Sequence, residues 1–287
     1  MGIPADTPDV TGATPFMLAM KEGHEDVAQL LIDMDECHES DRNNRLTALH
    51  WAVLHGMEKI TDQLLTRGYE VDCRDSHGYT PLHLVASTGN MTIAKALLRH
   101  KADPGLRTNS QKTPTHIAAQ GGNLGFIKLI FQEKPDLNPN LLDRDGRLPL
   151  HEAAWSGDRS TVCFLLSRRT TVKPDIFGWL PIHYSILGGN FDVFKLLHES
   201  DTDIHAVTKW KTAMIHLAAY MGRNKILEYL LCNGVDVNTK DNRGATPLIY
   251  AINGGQVDTA DFLIRHNADL RATMIHGHTP IHETAKR

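Results

Sequence analysis

Histidine is the residue type in this sequence that most suggests chemistry, because seventeen copies occur in 287 residues. Imidazole nitrogen is a common zinc ligand, so the histidines raise the question of a metal site. Seven of them share the fourth position of a recurring Thr-Pro-x-His tetrapeptide or its variants: His50, His83, His116, His151, His183, His216 and His282. Neighbours in this series would lie roughly 10 Å apart if helix pairs stack at ordinary distances. Two of them cannot both reach one zinc ion at ~2.1 Å, so the spacing favours a structural role.

Motifs of other catalytic and cofactor sites are absent from the sequence. The stretches HEAAW at His151 and HETAK at His282 begin like a zinc-binding helix, but neither has a second histidine four residues later. The sequence contains no GxSxG, no phosphate-binding GxxxxGK[ST] and no GxGxxG. We therefore predict a non-catalytic protein that holds no cofactor and no metal.

Composition and charge favour a soluble, intracellular protein. The net charge is −4 and the pI about 6.5, which gives no reason to expect nucleic acid. The four cysteines are far apart and form no CxxC pair, so free thiols in a reducing compartment are expected. The first residues lack the pattern of a secretory signal, and no apolar run reaches the ~18 residues of a membrane span. These features predict a soluble, cytoplasmic chain, with the nucleus as a second location.

The tetrapeptide is part of a repeat that runs through the chain. Its second position recurs at intervals of 33, 33, 33, 35, 32, 33, 33 and 33 residues, at Pro15, Ala48, Pro81, Pro114, Pro149, Pro181, Met214, Pro247 and Pro280. The best copies read GYTPLHLVASTGN, KTPTHIAAQGGN, RLPLHEAAWSGD and GATPLIYAINGGQ. This period and the T-P-L-H-x-A pattern resemble the ankyrin repeat family from about Asp9 to Arg287. The resemblance implies an all-α fold: an ankyrin-repeat solenoid of antiparallel helix pairs with β-hairpin fingers. It also implies that the tetrapeptide histidine hydrogen-bonds neighbouring backbone and ties adjacent repeats together.

The residues of one copy agree with such helix pairs. Thr80 is a good N-cap before Pro81, and Gly89 suits the left-handed end of a short helix. A second helix is expected to begin near Asn90, with Ile93, Ala94, Leu97 and Leu98 on one face. Alanines recur in the first helix of most copies and would allow neighbouring first helices to approach closely: Ala52, Ala86, Ala118, Ala119, Ala153, Ala154, Ala218, Ala219 and Ala251.

The repeat pattern divides the chain into an extension, eight full repeats and one partial repeat. We assign 1–8 to the extension and 9–41, 42–74, 75–107, 108–142, 143–174, 175–207, 208–240 and 241–273 to repeats one to eight, with 274–287 as a partial ninth. Neither end resembles a polar capping repeat, which such arrays need for solubility. We therefore expect a fragment of a longer array, with irregular natural caps as the alternative.

Partner-binding residues are predicted from the positions that the fold leaves free. In ankyrin repeats the finger tips and the exposed end of the first helix line a concave groove. In repeats three and five to seven these positions hold aromatic and basic residues: Tyr79, Arg144, Arg147, Trp155, Phe177, Trp179, Lys209, Trp210, Lys211 and Tyr220. Repeats one, two and eight place polar residues there, such as Lys21, Asn43 and Asn242. Aromatic residues with Arg dominate interface hot spots, so the sequence predicts a partner site, with packing against the next finger as the alternative.

The predicted function is a monomeric protein–protein scaffold or adaptor. Its concave groove would bind a partner segment that carries apolar anchors and acidic or phosphorylated residues. The alternative is an architectural or mechanical stretch of a longer ankyrin array in a larger protein, such as a membrane tether or channel.

A further candidate is a modification site. Asn238, in LLCNGVDVN, resembles the ankyrin-repeat asparagines that the asparaginyl hydroxylase of the hypoxia response modifies. The alternative is a plain turn asparagine that hydrogen-bonds its own finger.

Overall fold

The computed structural model describes residues 7–9, 12–34, 44–200, 202–275, 277 and 279–284, and these form two compact units, 1–144 and 145–287. Unit 1 contains the helices α1 Pro15–Lys21, α2 Glu25–Asp33, α3 Ala48–Leu54, α4 Glu58–Thr66, α5 Pro81–Thr88, α6 Met91–Arg99, α7 Pro114–Gln120 and α8 Leu124–Glu133. Unit 2 contains α9 Pro149–Ser156, α10 Arg159–Ser167, α11 Pro181–Gly188, α12 Phe191–Glu199, α13 Met214–Tyr220, α14 Asn224–Cys232, α15 Pro247–Gly254, α16 Val257–Arg265 and α17 Pro280–Thr284.

Within each unit the helices pack as pairs, and the pairs stack in chain order. In unit 1, α1, α3, α5 and α7 form one row and α2, α4, α6 and α8 form the other. In unit 2, α9, α11, α13, α15 and α17 form the first row, with α10, α12, α14 and α16 paired to them. A helix of seven to ten residues cannot be stable alone, so each pair depends on its neighbours for a buried core. The predicted array of helix pairs is confirmed, while the repeat boundaries stay predictions.

The start and end of these helices follow from local chemistry. The backbone N–H of Thr80 donates to Nδ1 of His83 at 3.2 Å, which closes the first turn of α5. Gly89 ends that helix with a φ of 76°, a left-handed value that favours glycine. Oδ1 of Asn90 then accepts the N–H groups of Thr92 and Ile93 and caps α6. Thr80 and Gly89 thus lie at the two predicted ends of α5, and α6 begins next to Asn90 as predicted.

Small residues allow the first helices to approach closely. All nine alanines predicted for this role are fully buried. In unit 2 two glycines add to the effect, because a Cβ at Gly188 would lie 2.3 Å from the carbonyl oxygen of Trp155. A Cβ at Gly254 would lie 2.1 Å from the carbonyl oxygen of Tyr220. At Gly121, the matching position of unit 1, a Cβ would meet no backbone atom closer than 3.7 Å.

The fingers between helix pairs are tight turns closed by a side chain. Oδ1 of Asp75 accepts the N–H groups of His77 and Tyr79, at 2.9 and 2.7 Å. Asp175 and Asp241 close their own fingers in the same way. Among the described residues one isolated antiparallel bridge occurs, between Val207 and Ala213, so these hairpins do not extend into strands.

Neighbouring repeats are joined at two fixed places. The first is the tetrapeptide histidine. Nε2 of His50 lies 3.1 Å from the carbonyl oxygen of Tyr79, and Nε2 of His83 lies 3.2 Å from the carbonyl oxygen of Lys112. The second is one backbone hydrogen bond between consecutive finger tips. In unit 1 these bonds are Ser76 N to Asn44 O, Asn109 N to His77 O and Arg144 N to Ser110 O; in unit 2 they are Ile176 N to Asp145 O, Lys209 N to Phe177 O, Asn242 N to Trp210 O and Ile275 N to Arg243 O.

No helix in the described part of the chain is long and apolar enough to cross a membrane.

Candidate functional site

The fingers of unit 2 hold two exposed aromatic rings in contact. Phe177 and Trp210 lie on consecutive finger tips and stack with their ring centroids 6.0 Å apart and their planes at 21°. Their backbones are fixed, because Lys209 N donates to Phe177 O and Asn242 N donates to Trp210 O, each at 3.2 Å. Phe177 is nevertheless 39% exposed and Trp210 48% exposed. The stack therefore presents a rigid apolar surface to solvent.

Two more aromatic side chains are exposed at the ends of first helices. Trp155 lies one residue before the end of α9 and is 46% exposed, and Tyr220 is the last residue of α13 and is 45% exposed. The backbone of Trp155 is held because its carbonyl accepts Nδ2 of Asn190 at 3.1 Å. These two residues and the Phe177–Trp210 stack are called the aromatic surface below.

Trp179 differs from these four because it packs inside its own unit. Its ring lies 5.8 Å from that of Tyr184 and 6.1 Å from that of His183, and the side chain is half-buried. Its backbone carbonyl also receives Nε2 of His151 at 3.1 Å. Trp179 therefore packs against its neighbours within the fold, which was the alternative to partner binding in the sequence analysis.

A buried tyrosine at the base of this region was not among the predicted residues. The hydroxyl of Tyr184 donates to Oδ2 of Asp175 at 2.7 Å, and its ring also contacts Trp155 and His151. Burial, together with the hydrogen bond to Asp175, raises the pKa of Tyr184 well above its usual range. The same pair recurs two repeats later, where the Tyr250 hydroxyl donates to Oδ2 of Asp241 at 3.0 Å. A tyrosine after the tetrapeptide position and an aspartate nine residues before it are the sequence signal that could have identified both pairs.

The predicted basic residues divide into paired and unpaired side chains. The Arg147 guanidinium lies 5.4 Å from the centre of the Tyr184 ring and 3.2 Å from Oδ2 of Asp145, so it is already engaged. Lys209 and Lys211 are exposed on either side of Trp210. Lysines at these positions add positive charge beside the apolar rings.

Two of the predicted residues belong to unit 1. Tyr79 is half-buried against His83, with ring centroids 5.7 Å apart, and its carbonyl accepts from His50. Nη2 of Arg144 donates to the carbonyl of Asn109 at 2.7 Å. Lys21 is exposed on α1, whereas Asn43 and Cys37 lie outside the described residues.

The tetrapeptide histidines have the environment of neutral structural groups. In His83 and His151, Nδ1 accepts a backbone N–H, which leaves the proton on Nε2 to bond the next finger's carbonyl. Burial lowers the pKa of both, and of His183, to about 4. Among the described residues, no three His, Cys, Asp or Glu side chains lie together in a group that could hold a metal ion.

Asn238 is bonded to the following repeat as well as to its own turn. Its backbone N–H donates to Oδ1 of Asp236, but its side-chain amide accepts from Asp269 N at 2.7 Å and donates to Asn267 O at 3.2 Å. Its side chain is therefore held in a bridge between two fingers.

The comparison with known families agrees with the repeat pattern and with the geometry. A family model of three ankyrin repeats matches residues 2–75, 56–140, 82–175, 150–241 and 215–287. The chain belongs to the ankyrin repeat family. Its fold is similar to the crystal structure of the human ASB11 ankyrin repeat domain, with a TM-score of 0.66 and 22% identity over 73% of this chain and 93% of that one.

Curated relatives match parts of this ankyrin chain. A probable 26S proteasome regulatory subunit, p28 of Saccharomyces cerevisiae, is 31% identical over 134 residues, which are 44% of this chain and 59% of p28. The potassium channel AKT2/3 of Arabidopsis thaliana is 27% identical over 152 residues, which are 52% of this chain and 18% of the channel. The matched segments thus cover less than two thirds of either relative.

Proposed function

We propose that this chain is a protein-interaction module whose aromatic surface holds a segment of a partner protein. Ankyrin repeats are in general protein–protein interaction modules, and this chain belongs to that family. The observation that carries the finer proposal is the exposed Phe177–Trp210 stack on two backbone-fixed finger tips. Rigid aromatic side chains bury large apolar area at little entropic cost, which makes them effective anchors.

The partner segment is expected to combine apolar and acidic groups. One buried aromatic or aliphatic side chain contributes about 1.5–3 kcal/mol, so two or three contacts support micromolar binding after the cost of association. Lys209 and Lys211 would orient acidic or phosphorylated residues beside Trp210, since they are exposed on the same finger. The association rate should then fall as salt is added.

The test uses the intact chain and a double change in the aromatic surface. Proteins captured by the immobilised chain are identified, and each purified candidate is titrated calorimetrically against wild type and Trp155→Ala/Trp210→Ala. The double variant should weaken binding by more than ~2 kcal/mol with an unchanged helical circular dichroism spectrum. Lys21→Ala in α1 is the matched control and should change binding by less than ~0.5 kcal/mol. Unchanged affinity in the double variant would exclude the aromatic surface as the site.

A second candidate function is an architectural stretch of a longer array. It is favoured by the match to a potassium channel of which the aligned segment is 18%. Under this proposal the aromatic surface would bind no partner, and capture by the chain would not depend on Trp155 or Trp210. The titrations above therefore separate the two candidates.

We also propose that Asn238 is a substrate of an asparaginyl hydroxylase. Its amide is bonded to Asn267 and Asp269, so the finger must open before an enzyme can reach it. Incubation in air with the hydroxylase, iron and 2-oxoglutarate should add one oxygen atom from O₂ to the Asn238 peptide, while 2-oxoglutarate is converted to succinate and CO₂. The reaction should be faster in an unfolded peptide than in the intact chain. If the Asn238 peptide gains no oxygen mass, the proposal is wrong.

For the whole chain we propose a cytoplasmic or nuclear, monomeric adaptor with no catalytic activity. Light scattering coupled to size-exclusion chromatography should give the mass of a single 32.0 kDa chain. A dimer would contradict this part of the proposal.

A further inference from the structure

The fingers of unit 1 form a groove lined by three arginines. Arg74, Arg107 and Arg144 surround an open cavity of about 740 Å³. The remaining lining residues are Gly105, Leu106, Thr108, Asn109 and Gln111, so the lining contains no carboxylate. We call this cavity the arginine groove.

The guanidinium groups of the arginine groove bond carbonyl and amide oxygens of the protein, and they form no ion pair within the part of the chain that the structure describes. Nη2 of Arg74 donates to the carbonyl of Arg107 at 3.0 Å, and Nη2 of Arg144 donates to that of Asn109 at 2.7 Å. Nη1 of Arg107 donates to Oε1 of Gln111 and to the carbonyl of Leu142. No carboxylate of the described residues forms an ion pair with any of the three guanidinium groups. Since each guanidinium has five N–H donors, most of its donors remain available to a ligand.

The same contacts fix where the guanidinium groups lie. Each bonds a carbonyl oxygen of a neighbouring finger, and the backbones of those fingers are joined by Asn109 N to His77 O and Arg144 N to Ser110 O. Ligand binding therefore needs less ordering of these long side chains than it would for mobile surface arginines.

The fold does not require arginine at these positions. Arg74 and Arg107 directly precede the residues that close their fingers, Asp75 and Thr108. In unit 2 the corresponding residues before Asp175 and Thr208 are Pro174 and Val207. A solvent-open cationic groove that contains no carboxylate, in an otherwise acidic chain, favours a ligand of opposite charge.

We propose that the arginine groove binds an extended protein segment that carries two or more phosphorylated side chains. The planar guanidinium fork matches phosphate oxygens in a bidentate contact, and a phosphate dianion offers more charge and more acceptors than a carboxylate. Arginines on successive fingers are roughly 10 Å apart at ordinary stacking distances. An extended chain advances about 3.3 Å per residue, so phosphates three residues apart would match that spacing. Arg144 was predicted to bind a partner together with the aromatic residues, whereas this proposal assigns it to the arginine groove of unit 1.

The test measures binding of a synthetic phosphopeptide to the intact chain. The probe is a fluorescein-labelled twelve-residue peptide with phosphoserines three residues apart, compared with its unphosphorylated twin by fluorescence anisotropy. The phosphorylated form should bind at least tenfold more tightly, and Arg107→Gln should remove at least tenfold of that affinity. Arg107→Lys keeps the positive charge but lacks the planar guanidinium group, so it should lose only part of the affinity for the phosphopeptide. The matched control is Arg99→Gln, an exposed arginine of α6 outside the groove, which should stay within twofold of wild type.

Three results would overturn the proposal. The first is equal affinity for the two peptides, and the second is an equal loss in the Arg99 and Arg107 variants. The third is binding to vesicles that contain phosphoinositide but not to the peptide, which would assign the groove to a membrane surface. The proposal does not depend on the aromatic surface: Trp155→Ala/Trp210→Ala should leave phosphopeptide binding unchanged, so the two proposals fail separately.

Discussion

The fingers of the two units have the same backbone but opposite surface chemistry. In unit 1 they present the guanidinium groups of Arg74, Arg107 and Arg144 around one groove. In unit 2 they present the stacked rings of Phe177 and Trp210. Both sets of side chains are supported by the same tip-to-tip backbone hydrogen bonds. The difference shows that the frame of an ankyrin finger is set by a few bonding positions, while the remaining positions are free to differ in surface chemistry.

Acid should have the largest effect, and it should weaken the frame in both units. Burial lowers the pKa of His83, His151 and His183 to about 4, so between pH 6.5 and 4 the unfolded chain binds more protons than the folded one. Stability is therefore full above pH 6.5 and falls with pH by up to about 1.4 kcal/mol per unit for each histidine. Thermal unfolding followed by circular dichroism from pH 8 to 4.5 measures this slope.

Single histidine variants locate the source of the acid effect. His83→Gln in unit 1 and His151→Gln in unit 2 should each reduce the slope by a similar amount. A slope that neither variant changes would assign the acid sensitivity to other groups.

Gly188→Ala tests the closer helix approach in unit 2. The added Cβ would meet the carbonyl oxygen of Trp155 at 2.3 Å, so α9 and α11 must separate. Overpacking of this kind costs about 1–3 kcal/mol. Gly121→Ala is the unit 1 control: its Cβ would meet the side chain of Asn123 at 3.1 Å, which can move, and should cost less than about 1 kcal/mol. Urea unfolding measures both changes, and equal losses would contradict the difference in helix approach.

Trp179→Ala and Trp155→Ala separate packed from exposed aromatic side chains in unit 2. Trp179 contacts Tyr184 and His183, so its removal should destabilise the chain by about 2 kcal/mol or more. Trp155 is 46% exposed, and its removal should cost less than about 1 kcal/mol. If both cost the same in urea unfolding, Trp155 is also part of the core.

Val207→Arg should have the smallest effect on stability. Val207 occupies in unit 2 the position of Arg107 in unit 1 and is 47% exposed, so the change should alter stability by less than about 0.5 kcal/mol. A larger loss in urea unfolding would show that this finger position is not free to change its chemistry.

The frame was predictable from the sequence because each of its parts is local or periodic. Thr80, Gly89 and Asn90 act within one turn, and the alanine positions repeat with the helices. The implied role of the tetrapeptide histidine was likewise confirmed in the bonds of His50, His83 and His151.

The surfaces were less predictable because they depend on which fingers stack. Arg74 and Arg107 are ordinary loop cations in the sequence, and only the stacked fingers bring them to one groove with Arg144. Trp179 and Trp155 both occupy positions that the repeat leaves free, yet Trp179 is half-buried against Tyr184 and His183 while Trp155 stays 46% exposed. Tyr184, directly after the tetrapeptide histidine, was visible in the sequence, but its hydrogen bond to Asp175 required the fold.

The bonds between repeats have a genetic consequence. The imidazole bond spans 29, 29, 28 and 29 residues in the cases of His50, His83, His151 and His216, close to one constant interval. The finger-tip bonds start and end at the same two positions of each period. Duplication or excision of one whole period by unequal recombination therefore restores the finger-tip donor and acceptor on both sides of the seam. The imidazole bond is restored as well where the copied repeat carries the histidine, which repeat one and repeat eight replace with Met17 and Ile249. Length can change by recombination without any new interface, and point substitutions at the free finger positions then diversify what each copy recognises.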